Sequence, residues 1–146
     1  MKGFTLIESL LVLFICSIFL LLPTLSIKQW QRTLEVEQFL SSFEKRILLT
    51  QQMAIVNSVN TQILFSDQGN RITFISPKIS ANLEEYQLII PSSLLADGPG
   101  KITFKKGSGN NGNLAKYSFV WEEKQQVIEF QFQLGSGRYV KKIKDI

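Results

Sequence analysis

The pattern of apolar and polar positions divides the 146-residue chain into three stretches, each with its own period. Between residues 9 and 27 no side chain is charged. A hydrocarbon core requires about 20 residues of helix at 1.5 Å rise, so this stretch predicts one membrane span. Beyond it the apolar residues narrow to a stripe. Val36, Leu40, Phe43, Ile47 and Ala54 recur at helical spacing with Phe39 and Met53 beside them, and Lys28, Arg32, Glu35, Glu37, Glu44, Lys45, Arg46, Gln51 and Gln52 lie between. A helix from about residue 4 to about residue 56 would be roughly 80 Å long. That is too long for a helix inside a globule, and it suits a stem that leaves a membrane and then packs on a head. Trp30 between Lys28 and Arg32 fits the outer interface of the span or a packing surface between subunits.

From Asn57 onward the period shortens to that of strands. The reading is a strand over 61–66, a turn at Asp67-Gln68-Gly69-Asn70, and a strand over 71–75 with Ile72 and Phe74 on one face. A strand over 86–90 is closed by Pro91 and followed by a loop through Asp97-Gly98-Pro99-Gly100. Residues 101–105 form a further strand, and 107–113, rich in Gly and Asn, an exposed loop. The last third reads as a strand over 116–121, a turn at 122–125, a strand over 127–134, a Gly135-Ser136-Gly137 turn and a strand over 138–143. In 127–134 the alternation predicts Ile128, Phe130, Phe132 and Leu134 inside and Glu129, Gln131 and Gln133 in water. The fold class is therefore α+β: a long N-terminal transmembrane and stem helix packed against a small, mainly antiparallel β-sheet head. The periods divide it into 4–27, 28–58 and 59–146.

Composition narrows the chemistry. At 45% hydrophobic and 19% charged the chain is an ordinary folding sequence, and its length suits one small domain. The net charge of +4 suits an anionic lipid surface, a polyanion or plain solubility. Cys16 is the only cysteine and there is no histidine. An intrachain disulfide and a serine–histidine or cysteine–histidine dyad are thereby excluded, and zinc would be left with carboxylate and water ligands. The Gly-rich stretch lacks the GK[ST] ending and following helix of a phosphate loop, and Ser108 and Ser136 have no histidine to activate them. Glu122 and Glu123, adjacent in a turn, read as a solvated cap. The expectation is no catalytic residue, no metal and no cofactor.

Glu8 is the informative residue of the first stretch. A carboxylate in the hydrocarbon costs about 2.5–3.5 kcal/mol on insertion scales unless it is neutralised or paired. A secretory signal cleaved near Thr24-Leu25-Ser26 competes with the anchor reading, and a charge inside the leading edge of the apolar run weighs against it. Glu8 at headgroup level of a simple anchor helix is the plain alternative.

The opening Lys2-Gly3-Phe4-Thr5-Leu6-Ile7-Glu8, followed by the apolar run, resembles the class III signal of the type IV prepilin and pseudopilin family. The resemblance implies that a membrane peptidase cuts after Gly3, removing residues 1–3, and N-methylates Phe4. It implies that Glu8 serves assembly by pairing with the terminal amine of a neighbouring subunit, and that the apolar segment is first an anchor and then the packed centre of a filament. Pro23, which removes an amide donor, predicts a kink or loosened turn there, as many pilins have, or is simply tolerated in a membrane helix. The head, including Lys101-Ile102-Thr103-Phe104 and Phe132-Gln133-Leu134-Gly135-Ser136-Gly137-Arg138, resembles competence pseudopilins. The missing disulfide pair and the lack of a calcium-spaced Asp/Asn cluster favour a minor subunit.

These resemblances imply a minor pseudopilin of a competence pseudopilus, used in uptake of extracellular DNA during transformation. It would wait in the cytoplasmic membrane as a single-pass prepilin with its head outside, and after processing join the pseudopilus at the cell surface. Its partners would be the other major and minor competence pseudopilins, the prepilin peptidase, the membrane and double-stranded DNA, directly or through the filament. Lys105, Lys106, Arg138, Lys141 and Lys142 are candidate DNA contacts, with Tyr117, Trp121 and Tyr139 among them as candidate stacking partners; lysines that protect strand edges explain the same pattern. The alternatives are a minor subunit of a type II secretion or adhesion pilus and a membrane-anchored binding module that never polymerises. An enzyme relying on carboxylates alone comes last.

Overall fold

The computed structural model describes residues 5–66, 70–77 and 83–146, with the side chains of residues 21–26, 77 and 83–85 outside the description. Gly3 and Phe4, the expected processing junction, lie outside it, as do Asp67, Gln68 and Gly69 of the expected turn and the side chain of Pro23. One helix, α1, spans Leu6–Val56. The strands are β1 (Thr61–Ser66), β2 (Arg71–Pro77), β3 (Leu83–Ile89), β4 (Leu94–Asp97), β5 (Lys101–Phe104), β6 (Lys116–Trp121), β7 (Gln126–Phe132) and β8 (Tyr139–Asp145). The chain forms two compact units, Met1–Glu35 and Val36–Ile146.

Within the first unit α1 carries its apolar side chains uncovered: Leu6, Leu10, Leu13, Phe14, Phe19 and Leu20 are all exposed. Ser17 returns its hydroxyl to the carbonyl of Leu13 at 2.8 Å, which removes its polarity from the helix surface. Among the described residues no helical stretch is both long and apolar enough to cross a membrane. The described side chains of the apolar run break off at Leu20 and resume only at Ile27, its last residue.

The second unit is built round the other half of α1. The predicted stripe is the buried face: Val36, Phe39, Leu40, Phe43, Ile47 and Ala54 are in the core, joined by Thr50. Two four-stranded antiparallel sheets pack on it, in the orders β3-β2-β1-β5 and β4-β6-β7-β8. The register of β1 against β2 sets Ile63 opposite Phe74, and that of β6 against β7 sets Tyr117 opposite Phe130 and Phe119 opposite Ile128. Every one of those six side chains is buried. Phe43 is the hub, with ring centroids 5.1 Å from Phe130, 5.2 Å from Phe119, 5.3 Å from Tyr117 and 6.1 Å from Phe74. The first three contacts are edge-to-face, the geometry that ring quadrupoles favour. Arg46 lies 3.4 Å over the Tyr86 ring and so fastens the helix to β3.

The helix stops where the sequence pattern stops. Ser58 takes a positive φ of 50°, and the last carbonyls find partners outside the helix. The Thr61 hydroxyl donates to Thr50 O at 2.8 Å, and the Gly107 amide donates to Ala54 O at 2.9 Å. The Ala54 carbonyl would otherwise be left open at the helix C-terminus, whereas the Thr50 carbonyl, one turn further in, takes the Thr61 hydroxyl as a second donor.

Four local expectations need correction. Residues 94–97 form β4, an edge strand paired with β6, where a loop was expected; the run is too short to show a period between Pro91 and Gly98. The strand expected over 86–90 runs instead over Leu83–Ile89, and Ile90 is buried beyond its end. The loop 107–113 is not uniformly exposed: Gly109 and Asn111 are buried, because Gln51 of α1 donates to Gly109 O and the Gly135 amide to Asn111 O. A Cβ at Gly109 would lie 2.8 Å from Ile55, so only glycine fits there. Finally, β7 ends at Phe132, leaving Leu134 exposed, and Glu129 is buried.

Replacing Phe43 with Ala should lower stability by about 3–5 kcal/mol, read by denaturant unfolding of the full chain in neutral detergent and followed by near-UV circular dichroism. A loss below about 1 kcal/mol would contradict the central placement of this ring.

Candidate assembly segment and basic face of the head

Two sets of residues carry the functional expectations. The first is the start of α1. Glu8 stands in its first turn, exposed, and its backbone amide donates to Thr5 O at 3.0 Å. Leu6, Ile7, Leu10 and Leu11 around it are exposed as well. A carboxylate near the positive end of the helix dipole is favourably placed for the helix, while the large side chains around it are apolar.

The second set is the basic residues of the head, which the structure distributes rather than gathers. Lys105 and Lys106 lie in the exposed part of the loop after β5, and Arg138 is exposed in the turn before β8. These two segments are neighbours, since the Gln51 amide donates to Gly109 O at 3.2 Å and Ser136 O at 3.3 Å. Lys141 and Lys142 point to opposite faces of the edge strand β8. Lys141 turns inward, where its Nζ is 2.6 Å from Glu44 of α1 and 5.6 Å from the Phe130 ring centroid, so its charge is already engaged. Lys142 reaches Gln131 at 3.4 Å. The expected stacking partners do not present their rings. Tyr117 and Trp121 are core residues, because they fall on the inward face of β6, and only Tyr139 is partly accessible. Burial pushes the Tyr117 hydroxyl above its ordinary range.

Sequence reasoning missed Glu129. It lies on the outward face of the inner strand β7, where alternation predicted a wet side chain, yet it is only 8% exposed. Lys116 of β6 and Lys144 of β8 close over it at 2.9 Å and 2.8 Å, one to each carboxylate oxygen. The only available signal was three basic residues on strands flanking one acid, visible once the register is known. The hydrogen bond from Lys144 first, then that from Lys116, holds the Glu129 carboxyl down at about 2. Tyr139 is pushed up by burial and then by the charge of Glu44. No group of His, Cys, Asp and Glu that could hold a metal ion occurs among the described residues.

A helix that is bare and apolar at one end, bears a lone carboxylate in its first turn and is buried in a two-sheet head at the other defines a pilin-like subunit. No family model matches the chain. It is 30% identical to competence protein ComGD of Streptococcus pneumoniae (strain ATCC BAA-255 / R6) over 144 residues, covering 99% of this chain and 81% of that one. It is 35% identical to competence protein ComGD of Bacillus subtilis (strain 168) over 94 residues, 64% of this chain and 54% of that one. The fold is also that of the minor pseudopilin EpsH from the type 2 secretion system of Vibrio cholerae, with a TM-score of 0.57 at 15% identity over 76% of this chain and 97% of that one. The chain belongs to the ComGD family of competence proteins and has the fold of a minor pseudopilin.

Because the Glu129 carboxyl is held below the ordinary value near 4.5, its contribution to stability is fully present above that value and is lost as pH falls through about 2. Thermal unfolding followed from pH 6 to pH 2 should show Glu129→Gln losing less stability than the wild type over that window. Parallel losses in the two proteins would show that the clamp does not contribute.

Proposed function

We propose that this subunit helps initiate or cap the competence pseudopilus and is needed for uptake of extracellular DNA, as a structural part that catalyses nothing. The observation that carries the proposal is the bare apolar beginning of α1 with Glu8 embedded in it, a surface that one copy of the chain leaves uncovered. Lipid covers it in the prepilin, and the equivalent segments of other major and minor pseudopilins cover it in the filament. Lys2 marks the cytoplasmic flank, which puts the head outside and, after processing, at the cell surface. The prepilin peptidase cuts between Gly3 and Phe4, removing residues 1–3, and Phe4 is then methylated. Residues 4–27 anchor and assemble, 28–58 continue as the amphipathic half of the helix, and 59–146 form the head.

The new amine on Phe4 and the Glu8 carboxylate are each costly alone in an apolar phase, and pairing between neighbouring subunits removes both costs while fixing the axial register. Pro23 gives the helix a place to loosen as it leaves lipid for the filament. Lys105, Lys106, Arg138 and Lys142 remain candidate contacts for DNA, with Lys141 held back by Glu44. The likeness to EpsH supports a role in a secretion pilus only as a related fold, and the ComGD relatives favour competence.

In the native host, uptake of labelled double-stranded DNA should be abolished by deletion of the gene, restored by the wild type, and not restored by Glu8→Ala, while intact mass shows the loss of Met1–Gly3 in the wild-type and Glu8→Ala proteins alike. Undiminished uptake in the deletion strain would end the competence assignment, and an intact leader in the mature wild-type protein would end the assembly mechanism.

A further inference from the structure

Beside the edge strand β5 lies a pocket of about 350 Å³, lined among others by Lys101, Thr103, Lys105, Asn111, Gly112 and Asn113. Its chemistry follows from the strand period. Ile102 and Phe104 turn into the core, so Lys101, Thr103 and Lys105 stand in a row on the other face. Both lysines are exposed, and neither has an ion pair among the described residues. Lys116, Lys141 and Lys144 of the other sheet and Lys124 of its β6–β7 turn are all paired; Lys106, Arg138 and Lys142 have no ion pair among the described residues either, and Lys101 and Lys105 differ from them in lining this pocket together.

No residue lining the pocket is acidic. Asn111 is 1% exposed, and its Oδ1 accepts the Asn113 amide at 2.7 Å, which leaves Nδ2 as the donor end. That nitrogen is buried with no partner among the described residues. A buried donor without an acceptor is costly, and a site with two cations, neutral donors and no carboxylate of its own suits an oxyanion. The row from Lys101 to Lys105 measures about 13 Å at strand rise. Successive phosphates of one DNA strand are separated by about 3.4 Å along the helix axis, so the row matches a run of phosphates better than a single ion.

We infer that this pocket binds the phosphodiester backbone of double-stranded DNA, with Lys101 and Lys105 as the two charged contacts, Thr103 and Asn113 as neutral donors, and buried Asn111 beneath them as part of the pocket floor. The choice of DNA among phosphodiester polymers rests on the competence reading; the anion chemistry does not. Backbone contacts of this kind carry no sequence preference and make binding steeply dependent on salt.

The test uses the full chain in neutral detergent and the fluorescence anisotropy of a labelled mixed-sequence duplex across a salt series. Lys101→Gln combined with Lys105→Gln should weaken binding at least about tenfold and flatten the log–log salt slope by about 1.8, two phosphates at about 0.9 each. Gly112→Asp supplies a carboxylate where an added Cβ meets nothing nearer than Lys105 Cε at 4.0 Å, so it should weaken binding without lowering the melting temperature. Lys124→Gln removes the same charge from the turn between β6 and β7 and should bind as the wild type does.

The inference is overturned if the pocket variants bind normally, if Lys124→Gln is equally damaging, or if poly(glycerol phosphate) competes as well as DNA at equal phosphate. A deletion strain that still takes up DNA would defeat the competence reading without moving these binding curves, whereas pocket variants of normal affinity would defeat this inference alone.

Discussion

The head depends on one aromatic contact set, the rings that meet around Phe43. A helix with a single apolar stripe can satisfy one sheet easily, but here two sheets share the stripe, and a flat ring offering both edge and face can meet both. Phe74 comes from the first sheet, and Tyr117, Phe119 and Phe130 come from the second. Arg46 on Tyr86 and the Glu37–Lys124 and Glu44–Lys141 pairs lie around this hub, holding the helix to each sheet at its margins. Exposed pairs of this kind contribute at most about 1 kcal/mol each, so they orient more than they stabilise.

The same helix faces two solvents. Up to Leu20 its large apolar side chains are uncovered, and from Val36 onward the corresponding positions are sealed in the core. Hydrophobic burial is roughly proportional to area removed from water, so the uncovered half holds a large unspent driving force that only lipid or other subunits can use. The head folds from its own contacts, and the beginning of α1 is left for association.

The long elements were legible in the sequence. The stripe from Val36 to Ala54 and the alternation in Arg71-Ile72-Thr73-Phe74 each give the period of one element, and the structure buries the residues so identified. β4 was not legible, because four residues between Pro91 and Gly98 cannot display a period, and an edge strand needs its partner to be recognised. Glu129 was misread for a different reason. Alternation tells which face a side chain takes, and whether that face is wet depends on lysines from two other strands. The row of Lys101, Thr103 and Lys105 was visible as a strand pattern, but the far wall contributed by Asn111, Gly112 and Asn113 comes from a loop that composition alone described as open. Of the assembly segment, Glu8 was legible because a charge in an apolar run is conspicuous at any length.

Gln51 ties together two turns that are far apart along the chain. Its one amide group serves Gly109 O and Ser136 O, while a Cβ at Gly137 would collide with Gly109 O and with Gln51 itself. The two turns are thus mechanically one unit: a bulkier residue at Gly109 or Gly137 would press on the other turn or on the helix position that joins them.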